Sequence, residues 1–232
     1  MNENVDASFG YYEFAVIMVI CAVIALSLCI YRINRGHKNR INVLFLIYLS
    51  CVVAQGMISW IYHALGYPLS LKAVDAISAN FFTVAEFCLF NLIFSETLRT
   101  KVALKLSKIA TVIFPSMSIL YWWSLNRWYE FPYLLSIIEA FFIVSFCLLY
   151  FYELFIELPT RNLTNEPLFW FATGVLIYSV CMIPNFLILQ YVSESQWYDY
   201  DSLAIPNYIA SSTLYIFIIK SVLCKTPQVK LS

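Results

Sequence analysis

Seven apolar stretches, each about as long as the roughly 20 residues that cross a bilayer as a helix, divide this chain, and its basic residues are sorted between them. Twelve of the fourteen Lys and Arg fall on alternate connections. Arg32, Arg35, Lys38 and Arg40 follow the first stretch. Arg99, Lys101, Lys105 and Lys108 follow the third, Arg161 the fifth, and Lys220, Lys225 and Lys230 the seventh. Only Lys72 and Arg127 lie on the other side. Short loops rich in Lys and Arg stay cytoplasmic. The pattern therefore predicts an all-α, seven-helix membrane bundle with its N-terminus outside and its C-terminus in the cytoplasm.

Composition agrees. Hydrophobic residues make up 62% of the 232 positions and charged residues 12%, about half the charged share of a soluble domain. Seven spans use most of the length, so residues 1–232 are expected to form one membrane domain with short loops. The segment before the first span is acidic (Glu3, Asp6, Glu13). It lacks the positive n-region of a secretory signal, so the first span is read as a retained anchor. The net charge is formally zero, and no basic surface points to nucleic acid.

Hydropathy places the helices at about 13–31, 41–63, 71–95, 102–123, 132–155, 167–189 and 202–224. Lipid offers no hydrogen-bond partner to the backbone, which forces helices. The third span is interrupted by Asp75, Asn80, Glu86 and Asn91, so it is expected at the centre of the bundle, shielded from lipid.

Polar residues inside a membrane are costly and are functional candidates by default. Glu86 lies near the middle of helix 3, where it is expected to be neutral and donating a hydrogen bond, or paired. Asp75 stands eleven residues earlier, only 20° past three full turns, and so shares its face. Glu139 occupies the outer third of helix 5. Helices 6 and 7 carry matched tripeptides, Ile183-Pro184-Asn185 and Ile205-Pro206-Asn207. Their asparagines fall at similar depth, and Pro184 frees the carbonyl of Val180. With Gln55 and Asn80, these residues gather in the outer half, while the inner half reads as mostly Leu, Ile, Phe and Val. The expectation is an outward-facing cavity lined by Gln55, Asn80, Glu86, Glu139, Asn185 and Asn207. Trp60, His63, Asp75 and Tyr208 would stand at its mouth, and Pro184 and Pro206 would act as kinks. Most Tyr and Trp fall at the outer side, as an interfacial belt would. Glu153 and Glu157, four residues apart on the inner side, are read as a solvated helix end or a docking surface for a basic partner.

Several chemistries are excluded. The seven cysteines form no CxxC pair, so neither a disulfide framework nor a zinc site is expected. No cofactor is implied. A retinal protein needs a lysine in mid-helix 7, where the chain reads Ile209-Ala210-Ser211-Ser212-Thr213; Lys220 lies near the cytoplasmic end, where it can snorkel. His37 and His63 are the only histidines, too few for the metal-dependent lipid hydrolases.

At Tyr150-Phe151-Tyr152-Glu153-Leu154 and at Pro167-Leu168-Phe169-Trp170-Phe171-Ala172-Thr173-Gly174 the chain resembles a group of small bacterial seven-helix proteins, some of which are similar to the membrane-sensing halves of histidine kinases. The resemblance implies a bacterial inner membrane and a sensing role. The leading expectation is thus a receptor-like module, without catalysis of its own, that binds an unknown small ligand and relays to a cytoplasmic signalling protein. A small transporter or proton-coupled carrier using Glu86 and Glu139 comes second. A lipid-modifying enzyme comes third.

Overall fold

The computed structural model describes residues 4–36, 39–65, 69–125, 128–157, 163–193 and 200–224. The side chains of His63 and Glu157 lie outside what it describes. It is an all-helical membrane bundle: α1 (Asn4–Asn34), α2 (Arg40–Ala64), α3 (Leu69–Ser95), α4 (Lys101–Leu125), α5 (Tyr133–Glu157), α6 (Pro167–Ser193) and α7 (Tyr200–Leu223). All seven are long and apolar enough to cross a membrane. Boundaries fall within a few residues of those read from hydropathy, except that α1 begins at Asn4. The apolar span starts only at Glu13, but no proline interrupts the residues before it, so the helix continues beyond the hydrocarbon region.

Six helices close a ring in which α1 packs on α2 and α7, α2 on α3, α3 on α5, α5 on α6, and α6 on α7. The fourth helix leans on the outside of this ring, mainly against α3. Half of the apolar span of α3 is buried, as is half of that of α5, against 17% for α1. The polar residues of α3 account for that burial, because lipid would tax them. The surfaces left exposed are those of a lipid-facing protein: Val16, Ile20, Val23, Val112, Leu120, Phe141 and Leu148 all point outward.

Small residues let the peripheral helices approach closely. On α1 the buried stripe is Ala22, Ala25 and Cys29. On α4 it is Ala103, Ser107, Ala110, Phe114, Ser118 and Trp122, all on one helical face. A polar clasp adds to this second contact. Asn91 Nδ2 donates to the Ser107 carbonyl (2.8 Å) and to Thr111 Oγ1 (2.6 Å), while Ser107 Oγ donates to Asn91 Oδ1 (2.7 Å). The Asn91 side chain is thereby satisfied at both ends, a requirement for an amide in hydrocarbon.

The end of the bundle that carries the basic connections is tied together by polar contacts. Arg32 donates to the Cys224 carbonyl at 2.8 Å, joining α1 to the end of α7. Arg40 pairs with Glu96 at 2.7 Å, joining α2 to the end of α3. The Thr164 carbonyl accepts from the Trp170 indole at 2.8 Å and from the Cys224 thiol at 3.8 Å. The Lys220 ammonium sits 5.4 Å from the centre of the Trp170 ring, a cation–π contact.

Glu153 belongs to the same network, which corrects its reading as a solvated or docking residue. It is buried. Its carboxyl accepts from the Arg99 amide (2.8 Å), the Thr100 amide (3.1 Å) and the Thr100 hydroxyl. The physical reason is the start of α4: the first N–H groups of a helix have no intrahelical acceptor, and Glu153 supplies one from a neighbouring helix. Those bonds leave it turned into the protein rather than toward a partner.

Candidate functional site

Above the basic end the interior is sealed by aromatic rings. Phe171, fully buried on α6, stands 5.0 Å from Phe45 of α2, 5.5 Å from Phe90 and 5.8 Å from Phe94 of α3, centre to centre. Phe94 in turn meets Tyr150 of α5 at 6.3 Å. Four helices thus contribute to one aromatic plug, and Phe171 is its hub. Such tilted and edge-on ring pairs contribute beyond their buried area.

Directly beyond the plug lies a cluster of buried polar groups. Tyr48 stacks against Phe90 at 4.8 Å and donates its hydroxyl to Glu86 Oε1 at 3.0 Å. Tyr215 of α7 neighbours Tyr48. Tyr178 of α6 lies within electrostatic reach of Tyr215 and of both Glu86 and Glu139. Glu139 of α5 lies in the neighbourhood of Glu86. Five helices, α2, α3, α5, α6 and α7, therefore bring two carboxyls and three phenols into one neighbourhood inside the bundle. Glu86, Glu139, Tyr48 and Tyr215 are all nine-tenths or more buried.

The two acids are staggered in depth. Glu139 lies six residues inside its end of α5, roughly 9 Å from it at 1.5 Å per residue. Glu86 sits deeper, near the middle of α3. Among the described residues no Lys or Arg acts on either carboxyl. Glu139 Oε1 has no hydrogen-bond partner, nor do the buried Ser179 Oγ and Asn185 Nδ2 of α6. Buried polar atoms are nearly always paired, and Asp75 Oδ1, Asn80 Oδ1, Trp122 Nε1 and Ser221 Oγ are further exceptions among the described residues. No set of three or more His, Cys, Asp or Glu side chains among the described residues is arranged to hold a metal ion.

The other sequence candidates occupy different places. Asn80 is buried and tied to the connection before α5: its Nδ2 donates to the carbonyls of Trp128 (3.0 Å) and Glu130 (3.2 Å). Its donors fasten a loop and do not face the carboxyl pair. Asn207 is half-buried and accepts the Ser211 hydroxyl within its own helix at 3.2 Å. Gln55, Asp75 and Tyr208 are half-buried. Trp60 is 71% exposed on the bundle surface, as an interfacial ring would be. Pro184 and Pro206 are both exposed and lie inside continuous helices.

Sequence reasoning passed over Tyr48, Tyr178 and Tyr215. Their signal was position. Most tyrosines of this chain flank the spans, whereas these three fall well inside them. A phenol deep in hydrocarbon needs a hydrogen-bond partner, and a carboxyl on a neighbouring helix is the obvious one.

Searches with this chain against protein-family models, characterised proteins and solved structures find no match, so the fold and the polar cluster carry the functional argument.

Proposed function

We propose that this protein is a receptor-like module of the bacterial inner membrane that takes a small ligand into the Tyr48–Glu86–Glu139–Tyr178–Tyr215 cluster and relays its presence to a cytoplasmic partner. One observation carries the reading: a polar, partly unsatisfied cluster built by five helices lies immediately beyond an aromatic plug. A permeation path needs polar groups along its whole length, whereas here the route toward the basic end meets Phe45, Phe90, Phe94, Tyr150 and Phe171. The basic end carries the cytoplasmic surface in this reading, and the N-terminus is outside. Two of the helices in the cluster, α6 and α7, reach the basic end beside Trp170 and Lys220, so a shift of either helix is felt there.

Orientation is tested directly. A reporter fused after Lys230 is expected to be active only as a cytoplasmic reporter; an active periplasmic reporter at that position reverses the assignment.

A second reading, a proton-coupled carrier, is favoured by one feature: the carboxyl pair has no counter-cation among the described residues, and protons would balance its charge. Proteoliposomes loaded with a pH-sensitive dye separate the two. A receptor passes no more protons under an imposed gradient than protein-free vesicles do. A carrier gives a flux that Glu86→Gln abolishes, because the amide preserves shape and hydrogen bonding but holds no exchangeable acid. A flux of that kind would overturn the receptor reading.

A further inference from the structure

We propose that the Glu86–Glu139 pair, together with the hydroxyl oxygens of Tyr48, Tyr178 and Tyr215, is a recognition site for a small protonated amine. The inference rests on the reading of this cluster as a ligand site and adds the chemical class of the ligand. Charge comes first. A buried carboxyl can hold its charge only beside a cation, and no Lys or Arg among the described residues supplies one to either acid; a cation that enters as a carboxyl proton leaves fills that role, and an anion does not. Acceptors come second. Glu86 Oε1 already receives the Tyr48 hydroxyl, but Glu139 Oε1 is buried and receives nothing. An ammonium N–H is the donor that fits such an oxygen, and a charged donor on a charged acceptor makes the stronger type of hydrogen bond.

The surroundings distinguish an amine from a metal ion. A divalent cation takes six or more oxygen ligands or a compact set of His, Cys and carboxylates, and the described residues offer no set of three. The walls are aromatic: Tyr48 lies against Phe90 at 4.8 Å and near Phe82 at 6.5 Å, and the remaining donors of oxygen are phenols. Tyrosine rings attract alkylammonium groups through their π faces, while the N–H groups reach the carboxyls. The staggering of the acids gives an order of encounter. Glu139, nearer the end opposite the basic connections, meets the cation first, and Glu86 with its tyrosine partners receives it at mid-depth. The aromatic plug then prevents further passage.

The test uses the purified full chain in nanodiscs, with methylammonium chloride as the probe, read by isothermal titration and by the thermal unfolding midpoint. Saturable binding and a rise in the midpoint are expected. Tetramethylammonium, which has no N–H, should bind weaker by about tenfold or more, as a site built of acceptors for N–H groups rejects an analogue lacking them. Glu139→Gln should weaken methylammonium by about thirtyfold, the effect of removing one partner of a buried charge pair. If that variant fails to fold, Tyr178→Phe serves instead: it deletes one hydroxyl and should cost about fivefold in affinity. Binding that sodium chloride reproduces at equal concentration would assign the site to inorganic cations and overturn the proposal. So would the absence of saturable binding, or binding unchanged in both variants. Hydrogen exchange over residues 163–170 is followed in the same samples. Amine binding without any change there keeps the amine site and overturns the relay; a change there with sodium alone keeps the relay and overturns the amine.

Discussion

Glu153→Ala is expected to release α4 from the bundle. The wild-type carboxyl accepts from the amides of Arg99 and Thr100 and from the Thr100 hydroxyl, all at the point where the chain turns from α3 into α4. Alanine removes that acceptor and leaves the donors to water at the exposed start of α4. A typical hydrogen bond contributes about 0.5–1.5 kcal/mol net, so losing the set should cost about 2 kcal/mol. The loss concentrates on α4 because that helix touches the ring mainly through α3 and only slightly through α5. Its remaining hold is the small-residue stripe and the Asn91 clasp. Limited proteolysis should cut between Glu96 and Thr100 in the variant and not in the wild type, and hydrogen exchange should quicken in the first turns of α4. Glu153→Gln keeps one acceptor oxygen and should fall between the two. An alanine variant with wild-type protection at α4 would show that the cap is dispensable.

Gly174→Ala is the second large expected effect, and its cause is geometric. A Cβ at position 174 would stand 2.5 Å from the Phe217 Cβ and 3.0 Å from its Cγ. Carbon atoms in contact prefer about 3.5–4.0 Å, so α6 and α7 must move apart. This is the most extensive helix pair of the bundle, and Ala172, Val175, Leu214 and Ile218, all fully buried, separate with it. Overpacking of this kind costs about 1–3 kcal/mol. The variant's thermal midpoint in detergent should fall accordingly. The nearest atom is a Cβ, fixed to the backbone, so rotation of the ring gives no relief. Phe217→Ala should therefore fail to rescue Gly174→Ala, whereas Phe217→Gly should restore part of the loss. Rescue by Phe217→Ala would show that the ring, and not the backbone approach, sets the spacing.

The two variants act on separate parts of the molecule. Glu153→Ala lies apart from the Glu86–Glu139 cluster and should retain its binding properties as long as it folds, whereas Gly174→Ala spreads α6 and α7, which carry Tyr178 and Tyr215, and should weaken binding there. A loss of amine binding in Glu153→Ala at full folding would point to coupling between α4 and the ring.

How far the sequence reached differs from one element to the next. Seven apolar runs of bilayer length allow one solution, because the backbone in lipid must satisfy itself, and so the helix limits were legible to within a few residues for six of the seven. The polar residues of the third run also announced its central place, since facing lipid would cost about 2.5–3.5 kcal/mol for a charged group. Glu86 and Glu139 could be singled out for the same reason. Their partners could not, because periodicity within a helix says which face a residue occupies but not which helix faces it. Only the ring order brought α2, α6 and α7 to the acids and with them Tyr48, Tyr178 and Tyr215. The same limit explains Asn80 and Glu153. Each is a polar residue at a place where function was a fair expectation, and each turned out to be bonded to backbone groups of a loop or a helix start far away in sequence. Hydrophobicity along one chain fixes depth and secondary structure; packing between chain segments decides which buried polar atoms find a partner and which, like Glu139 Oε1 and Asn80 Oδ1, do not.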